Sequence, residues 1–455
     1  MLLPDTADTI TAQATPPGAG ALAVIRISGL NAFKTAASFL RPAGGAPPHG
    51  VARLLAARDG DKLVDRVVAI FFRGPASYTG DDTVEITCHG SPYIIRTLLN
   101  LAVKGGARPA GPGEFTLRAF LNGKLDLARA EAVGQLIEAS SAAAHRAAVT
   151  QAEGGLSREV AAIRESLVAL LAQLEARLDD SYEEIPPLEI RAFARAAGAA
   201  RERARRLSDS YAAGRGVRDG IKVVIAGAPN SGKSSLLNAL LGYDRAMVSG
   251  SAGTTRDTLE ARLEVDGFTV QFTDTAGFNA RAASALEREG IRRAEAAIAA
   301  ADAVLLVKDA SIAETASDRR AERETERLAL AGARLLRIYN KSDLPAGRRS
   351  GAGFRVSART GAGLGRLKTA LVAEQKKVFT DGAQAVVTSA RHYAALSGAA
   401  AELAALPPVL RGKNPPLELA AEHLRGALEA LAGLLGETAP EEVLAGIFGK
   451  FCVGK

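Results

Sequence analysis

Cysteine is scarce in this 455-residue chain. Cys88 and Cys452 stand far apart and spell neither a disulfide scaffold nor a zinc-binding spacing. No apolar run reaches the roughly 18 residues that a membrane-crossing helix needs. The opening MLLPDTADTI lacks the charged region and apolar run of a secretory signal, so a reducing cytoplasm is the expected compartment. No solenoid-type repeat recurs at a fixed period. Hydrophobic residues make up 47% and charged residues 24%, ordinary for a globular protein of two or more domains. The net charge of +7 leans toward a polyanionic partner such as RNA, a lean that many basic proteins share without binding nucleic acid.

Three textures follow one another. Up to about residue 120, short β-type runs alternate with turns: ALAVIRIS (21–28), VDRVVAIFF (64–72) and TVEITC (83–88) read as strands, and SPYIIRTLLNLAV (91–103) as a helix. From about 124 to 214, Ala, Leu, Glu and Arg recur at helical spacing, interrupted at SYEEIPP (181–187). From Gly216, the strands KVVIAG, FTVQFTD, AVLLVKD and RLLRIYN alternate with helices, a doubly wound α/β pattern. Helical texture returns after about 382. The expected fold is multidomain: an α+β N-terminal domain (1–122) and an all-α domain (123–215 and 381–455) split by an inserted α/β P-loop G domain (216–380). Two independent small helical domains are the alternative to the split one.

Gly227-Ala228-Pro229-Asn230-Ser231-Gly232-Lys233-Ser234 fits G-x-x-x-x-G-K-[ST], between a strand and the helix that opens with Ser234 and Ser235. Glycines let backbone N–H groups turn toward phosphates, the helix N-terminus adds its dipole, Lys233 meets the β/γ oxygens and the Ser234 hydroxyl meets Mg²⁺. Three further pieces arrive in order. Gly253-Thr254-Thr255-Arg256-Asp257 suits a switch loop carrying a Thr to Mg²⁺. Asp274-Thr275-Ala276-Gly277 follows a strand, with Asp274 placed for a metal-bound water and Gly277 for the γ-phosphate. Asn340-Lys341-Ser342-Asp343 follows another strand, and Asp343 suits the guanine N1–H and exocyclic amine, a donor pair adenine lacks. Ser357-Ala358-Arg359 fits a loop lying against the base. Phe278 stands where Ras-like GTPases carry a water-orienting Gln. Asn230 offers an amide oxygen of the kind found in GTPases that use potassium in place of an arginine finger; a loop-stabilising Asx turn is the competing reading.

Together GAPNSGKSS, GTTRD, DTAGF and NKSD resemble the tRNA-modification GTPase family called MnmE or TrmE. So do the opening DTITAQATPPGAGALAVIRISG, the segment GPGEFTLRAFLNGKLDLARAEAVGQLIEASS and the terminal Phe451-Cys452-Val453-Gly454-Lys455. Era-like GTPases share the G motifs but lack these flanks. The resemblance implies a GTPase that works with the flavin- and NADH-using MnmG (GidA), as a heterotetramer. The pair modifies carbon 5 of the wobble uridine of certain tRNAs with a carboxymethylaminomethyl or aminomethyl group. It implies a homodimer through the N-terminal domain, which binds 5-formyltetrahydrofolate; Arg26, Glu85, Lys124 and Lys455 match the folate positions, though alone they read as surface or structural charges.

The resemblance further implies potassium at Asn230 and at Ser249, Ser251 and Thr254 of the loop Ser249-Gly250-Ser251-Ala252-Gly253-Thr254-Thr255, with Mg²⁺ at Ser234 and Thr255. It places the catalytic Glu at Glu287, within Glu287-Arg288-Glu289-Gly290-Ile291; Glu289 is a second acidic candidate, and a solvated helix face is the reading from the residues alone. Cys452 is a packing residue or a thiol with a role near the folate site, and Cys88 reads as core. Two other functions stand beside this one: an Era-like RNA-binding or ribosome-assembly switch, and a folate-dependent transferase with a regulatory G domain.

Overall fold

The structure is a computed structural model that describes residues 7–42, 48–178, 186–242, 260–274, 295–329, 332–345, 352–380, 385–411 and 414–455. The chain forms two compact units, one of Met1–Gly134, Ala152–Arg201 and Gly398–Lys455, the other of Gln135–Gln151 and Glu202–Ser397.

The first unit holds β1 (Ile10–Gln13), β2 (Leu22–Ser28), β3 (Leu40–Arg41), β4 (Ala52–Asp59), β5 (Lys62–Phe72), β6 (Thr83–His89) and β7 (Arg108–Pro109). They lie in the order β3-β4-β5-β6-β2-β1-β7. Every pairing is antiparallel except β1 with β7. Side chains alternate between the two faces of a strand, and this alternation sorts β2 and β6 cleanly. Ala23, Ile25, Ile27, Val84, Ile86 and Cys88 join the core under helices Ala32–Ala37 and Pro92–Lys104. Arg26 and Glu85 are thereby turned to the opposite face, and they are directly paired in register.

The helical part of this unit rests on Gly155–Leu178 and Leu417–Leu435. Leu156, Val160, Ile163, Leu167, Leu170 and Leu174 are buried at three- and four-residue spacing, one apolar stripe of the first helix. Ala420, Leu424, Ala427, Leu431 and Leu434 are buried on the second. Arg164 pairs with Glu437 while Arg425 pairs with Glu175, which fixes the two as antiparallel neighbours. Helix Glu441–Phe448 then packs Leu444 and Phe448 against Leu117, Leu127 and Ala130. This turns the terminal peptide toward the strands: Pro112 bridges Val453, and Phe115 N–H donates to the Lys455 carbonyl at 3.2 Å.

The second unit holds β8 (Ile221–Ala226), β9 (Glu260–Val265), β10 (Phe268–Asp274), β11 (Ala303–Asp309), β12 (Arg334–Asn340) and β13 (Phe354–Arg355), in the order β13-β12-β11-β8-β10-β9. All are parallel except the edge strand β9. Val223, Ile225, Leu305 and Val307 meet Leu236 and Leu240 of helix Lys233–Gly242 on one face. Val224, Ala226 and Val304 meet Ile298 and Ala301 on the other. Cover on both faces explains the near-continuous apolar stretches of the central strands β8 and β11. The residues expected to build an α+β domain, helices and an α/β G domain form those classes of structure.

Candidate functional site

The phosphate-binding loop leaves the C-terminal end of β8, where open parallel sheets place their ligand sites. Gly227 adopts φ 146°, and a Cβ there would lie 2.2 Å from the Val307 carbonyl oxygen of β11. Gly232 adopts φ 92° and leads into helix Lys233–Gly242. Both positions exclude other residues, so the loop backbone runs close against the sheet end. Lys233 Nζ donates to the carbonyls of Gly227 and Ala228 at 3.0 Å each. Ser231 Oγ is buried with no hydrogen-bond partner among the described residues. A buried hydroxyl, a loop lysine and a helix N-terminus together suit phosphate oxygens. Ser234 and Ser235 are exposed in the first helical turn, and Asn230 holds a left-handed φ of 61°.

The Asn340-Lys341-Ser342-Asp343 segment begins two strands away, at the end of β12. Asn340 is buried; its Nδ2 donates to the Ser231 and Gly232 carbonyls at 3.3 and 3.4 Å, and its Oδ1 accepts from the Ala358 N–H at 3.1 Å. Lys341 Nζ donates to the Asn230 carbonyl at 3.1 Å and to Asp309 Oδ2 at 2.6 Å. Asp343 takes the Ser357 hydroxyl on one oxygen at 2.6 Å and the Arg359 guanidinium on the other at 2.8 Å. The Ser357 hydroxyl, then Arg359, hold its carboxyl below the ordinary aspartate range, against burial. The structure thus joins Asn230, Ser231, Gly232, Asn340, Lys341, Asp343, Ser357, Ala358 and Arg359 into one hydrogen-bonded rim. Asp274 closes β10 beside Ile225 of β8. The expectations at Ser249, Gly250, Ser251, Ala252, Gly253, Thr254, Thr255, Thr275, Ala276, Gly277, Phe278, Glu287 and Glu289 lie outside the described residues. No group of three or more His, Cys, Asp or Glu that could hold a metal occurs among the described residues.

A second cluster forms in the first unit. Arg26 Nε and Nη2 both donate to Glu85 Oε1, at 3.0 and 2.7 Å, while Nη1 donates to the Gly454 carbonyl at 3.3 Å. The Arg26 guanidinium lies 5.3 Å from the Tyr78 ring centre and 5.5 Å from that of Phe115. Gly454 (φ 101°) has no room for a Cβ, which would stand 2.2 Å from the Gln13 carbonyl oxygen. The tail is thereby threaded against β1, and Lys455 ends beside Arg26 and Glu85. Burial first, then the Arg26 charge, push the Lys455 amine below the ordinary lysine range, with Glu85 opposing. Lys124 stands apart from these three: its Nζ donates to the Pro75 carbonyl at 2.7 Å, in the loop that carries Tyr78. Cys452 is exposed, its carbonyl accepting from Gly113 and Lys455. Cys88 is buried in the strand core, which pushes its thiol up to about 11.

Three participants escape a reading of the sequence. Asp309 closes β11 and becomes a partner of Lys341 only through sheet order. Tyr78 and Phe115 flank Arg26 from distant segments, with nothing local to mark them.

The chain matches the family model of the MnmE helical domain over residues 127–452 and that of the GTP-binding protein TrmE N-terminus over residues 9–124. It is 40% identical to a tRNA modification GTPase MnmE of Chlorobium phaeobacteroides, covering 98% of this chain and 97% of that one. It is 41% identical to one of Thermus thermophilus, covering 98% and 99%. Matched by both family models and by relatives along nearly its whole length, the chain belongs to the MnmE family of tRNA modification GTPases.

Proposed function

We propose that this chain is a potassium-stimulated GTPase that acts with the FAD-dependent protein MnmG to modify carbon 5 of the tRNA wobble uridine, drawing on a folate one-carbon unit. The observation that carries the GTPase reading is the joined rim: the NKSD asparagine and lysine both bond the P-loop backbone, so phosphate and base recognition share one frame. In this reading Mg²⁺ falls to Ser234 and Thr255. Potassium falls to Asn230 and to the loop of Ser249, Ser251 and Thr254. The ions neutralise charge on the phosphates, while Lys233 and the loop N–H groups orient them. Glu287 orients the attacking water, since Phe278 has no polar atom to do so.

The cluster of Arg26, Glu85 and Lys455 supports a folate site, with Lys124 on its neighbouring loop. A carboxylate suits pterin N–H donors and a cation suits the folate glutamate tail. A homodimer, and a heterotetramer with MnmG, complete the proposal. Among the described residues no helix is long and apolar enough to cross a membrane.

The test compares GTP hydrolysis in KCl and NaCl at equal ionic strength. Hydrolysis is expected to be much faster in potassium, and Asn230→Ala is expected to abolish the difference. Equal rates in the two salts would remove potassium from the reading. Reconstitution with MnmG and tRNA, followed by wobble-nucleoside analysis, tests the rest.

A further inference from the structure

Asn230 and Lys341 are both non-glycine residues in the left-handed region, at φ 61° and 62°. That conformation is costly for a residue with a Cβ, and it persists where the surroundings over-determine it. Here the two strained residues are tied to each other, because Lys341 Nζ donates to the Asn230 carbonyl at 3.1 Å. A lysine side chain is long and mobile, so a single bond to a loop carbonyl would hold it poorly. The second partner supplies the constraint. Asp309 Oδ2 lies 2.6 Å from the same Nζ.

Asp309 is itself fixed. Its Oδ1 accepts from the Ser311 N–H at 2.9 Å and from the Ser311 hydroxyl at 2.6 Å. It is the last residue of β11, which lies between β8 and β12 in the sheet and pairs Asp309 with Asn340. The P-loop leaves the end of β8 and the NKSD turn leaves the end of β12. Asp309 therefore stands at the strand end between the two loops. Its side chain is 11% exposed and that of Lys341 35%, so solvent screens the pair only in part. Burial works against the charge on Asp309, yet Lys341 and Ser311 together hold its carboxyl below the ordinary aspartate range.

We propose that Asp309 is a positioning residue for guanine nucleotide binding: by anchoring Lys341 it locks the NKSD turn to the P-loop at Asn230, and so slows nucleotide release. Asp309 touches no reacting group. It acts on the nucleotide through Lys341, and the proposal rests on the reading of this rim as the GTP site.

The experiment follows release of N-methylanthraniloyl-GDP from the full chain by stopped-flow fluorescence. Asp309→Asn keeps the shape of the side chain and removes its charge; it is expected to release nucleotide about tenfold faster, the scale of one charge-assisted hydrogen bond. Lys341→Met removes the ammonium while keeping most of the stem. The two changes break the same link, so the double variant is expected to release no faster than Lys341→Met alone. General loosening of the domain by Asp309→Asn would instead multiply the two effects, and that result would overturn the proposal. Wild-type release from Asp309→Asn would overturn it as well, while leaving the GTPase reading intact. A wild type that retains no guanine nucleotide would overturn both.

Discussion

Gly232 and Asn340 compete for the same space: the Cβ that Gly232 lacks would lie 2.3 Å from Asn340 Nδ2, the atom that donates to the Gly232 carbonyl at 3.4 Å. Glycine is required here twice, by this approach and by φ 92°. The P-loop motif thus encodes contact with a residue more than a hundred positions downstream, as well as a phosphate cradle.

Gly232→Ala is therefore expected to push Asn340 off the loop carbonyls and to abolish measurable GTP binding by titration calorimetry. The strain should lower stability of the second unit by about 1–3 kcal/mol, read by thermal unfolding without nucleotide. Binding of GTP at wild-type affinity would show that the loop adapts without cost.

How much of this was legible beforehand follows from how local each signal is. The strands Phe268–Asp274, Ala303–Asp309 and Arg334–Asn340 coincide with runs read from the sequence: Ala303–Asp309 is buried along its whole length, Phe268, Val270 and Phe272 alternate with Thr and Gln in the first, and Arg337 alone interrupts Leu335 to Tyr339 in the third. Strand Ala52–Asp59, by contrast, reads as ARLLAARD, five of whose eight residues are Ala or Arg with no β preference. Leu54 in it is 67% exposed, so its alternation does not track burial either. The same contrast holds for the site. Lys233 announces itself by its spacing within the P-loop motif, and Asn340 and Asp343 by theirs within NKSD. Asp309 and the left-handed turn at Asn230 depend on which strand lies beside which. The pairing of Arg26 with Glu85 needs the register of two strands separated by most of a domain.

Asp343 carries two firm bonds, from Ser357 and Arg359, that fix the plane of its carboxylate. Asp343→Asn replaces one acceptor by a donor and removes the charge. GTP affinity is expected to fall about 10²–10³-fold, as for two charge-assisted hydrogen bonds lost together. Affinity for xanthosine triphosphate should rise, since its base presents an acceptor where guanine presents a donor. A fluorescence competition assay with GTP, ATP and xanthosine triphosphate reads all three. Equal wild-type binding of ATP and GTP would sink the assignment of Asp343.

Glu114 is expected to contribute to the acid stability of the first unit, beside Asp8 and Asp65, whose carboxyls are also held low. It is buried with Arg118, accepts from Arg108 at 2.7 Å and from Arg118 at 3.0 Å, and takes the Gly111 N–H at 2.8 Å. Burial favours its neutral form, but the arginines and the amide outweigh this and hold its carboxyl below the ordinary 4.5. A carboxyl held low in the fold stabilises it fully above the ordinary value and loses that contribution as pH falls through the folded value. Glu114→Gln leaves Arg108 and the fully buried Arg118 with Asp8 as their remaining carboxylate. The expected cost at neutral pH is about 1–3 kcal/mol, the scale of lost charge-assisted hydrogen bonds, shrinking as pH falls below 4.5. Denaturant unfolding at pH 7 and at successively lower pH checks this; a loss independent of pH would mean that packing, not charge, carries the site.

The terminal Lys455 offers the last test, because its charge and its placement separate. Arg26 does two jobs in the structure: it pairs with Glu85 and holds the Gly454 carbonyl. Arg26→Ala therefore disturbs both the pair with Glu85 and the tail, whereas Lys455→Ala leaves the Arg26–Glu85 pair in place and removes one cation. If that cation meets the acidic tail of a folate, Lys455→Ala should weaken binding of 5-formyltetrahydrofolate about tenfold by equilibrium dialysis, and Arg26→Ala should weaken it more. The pH dependence carries the sharper prediction. Burial and the Arg26 charge hold the Lys455 amine below 10.5, so it sheds its proton earlier than an exposed lysine as pH rises. Folate affinity should decline across that interval, from the lowered value upward toward 10.5. Lys455→Arg stays charged throughout and should flatten the decline while keeping most of the affinity. If Lys455→Ala binds folate as the wild type does, the amine faces the cluster without touching the ligand. If Lys455→Arg shows the same decline, a different group titrates.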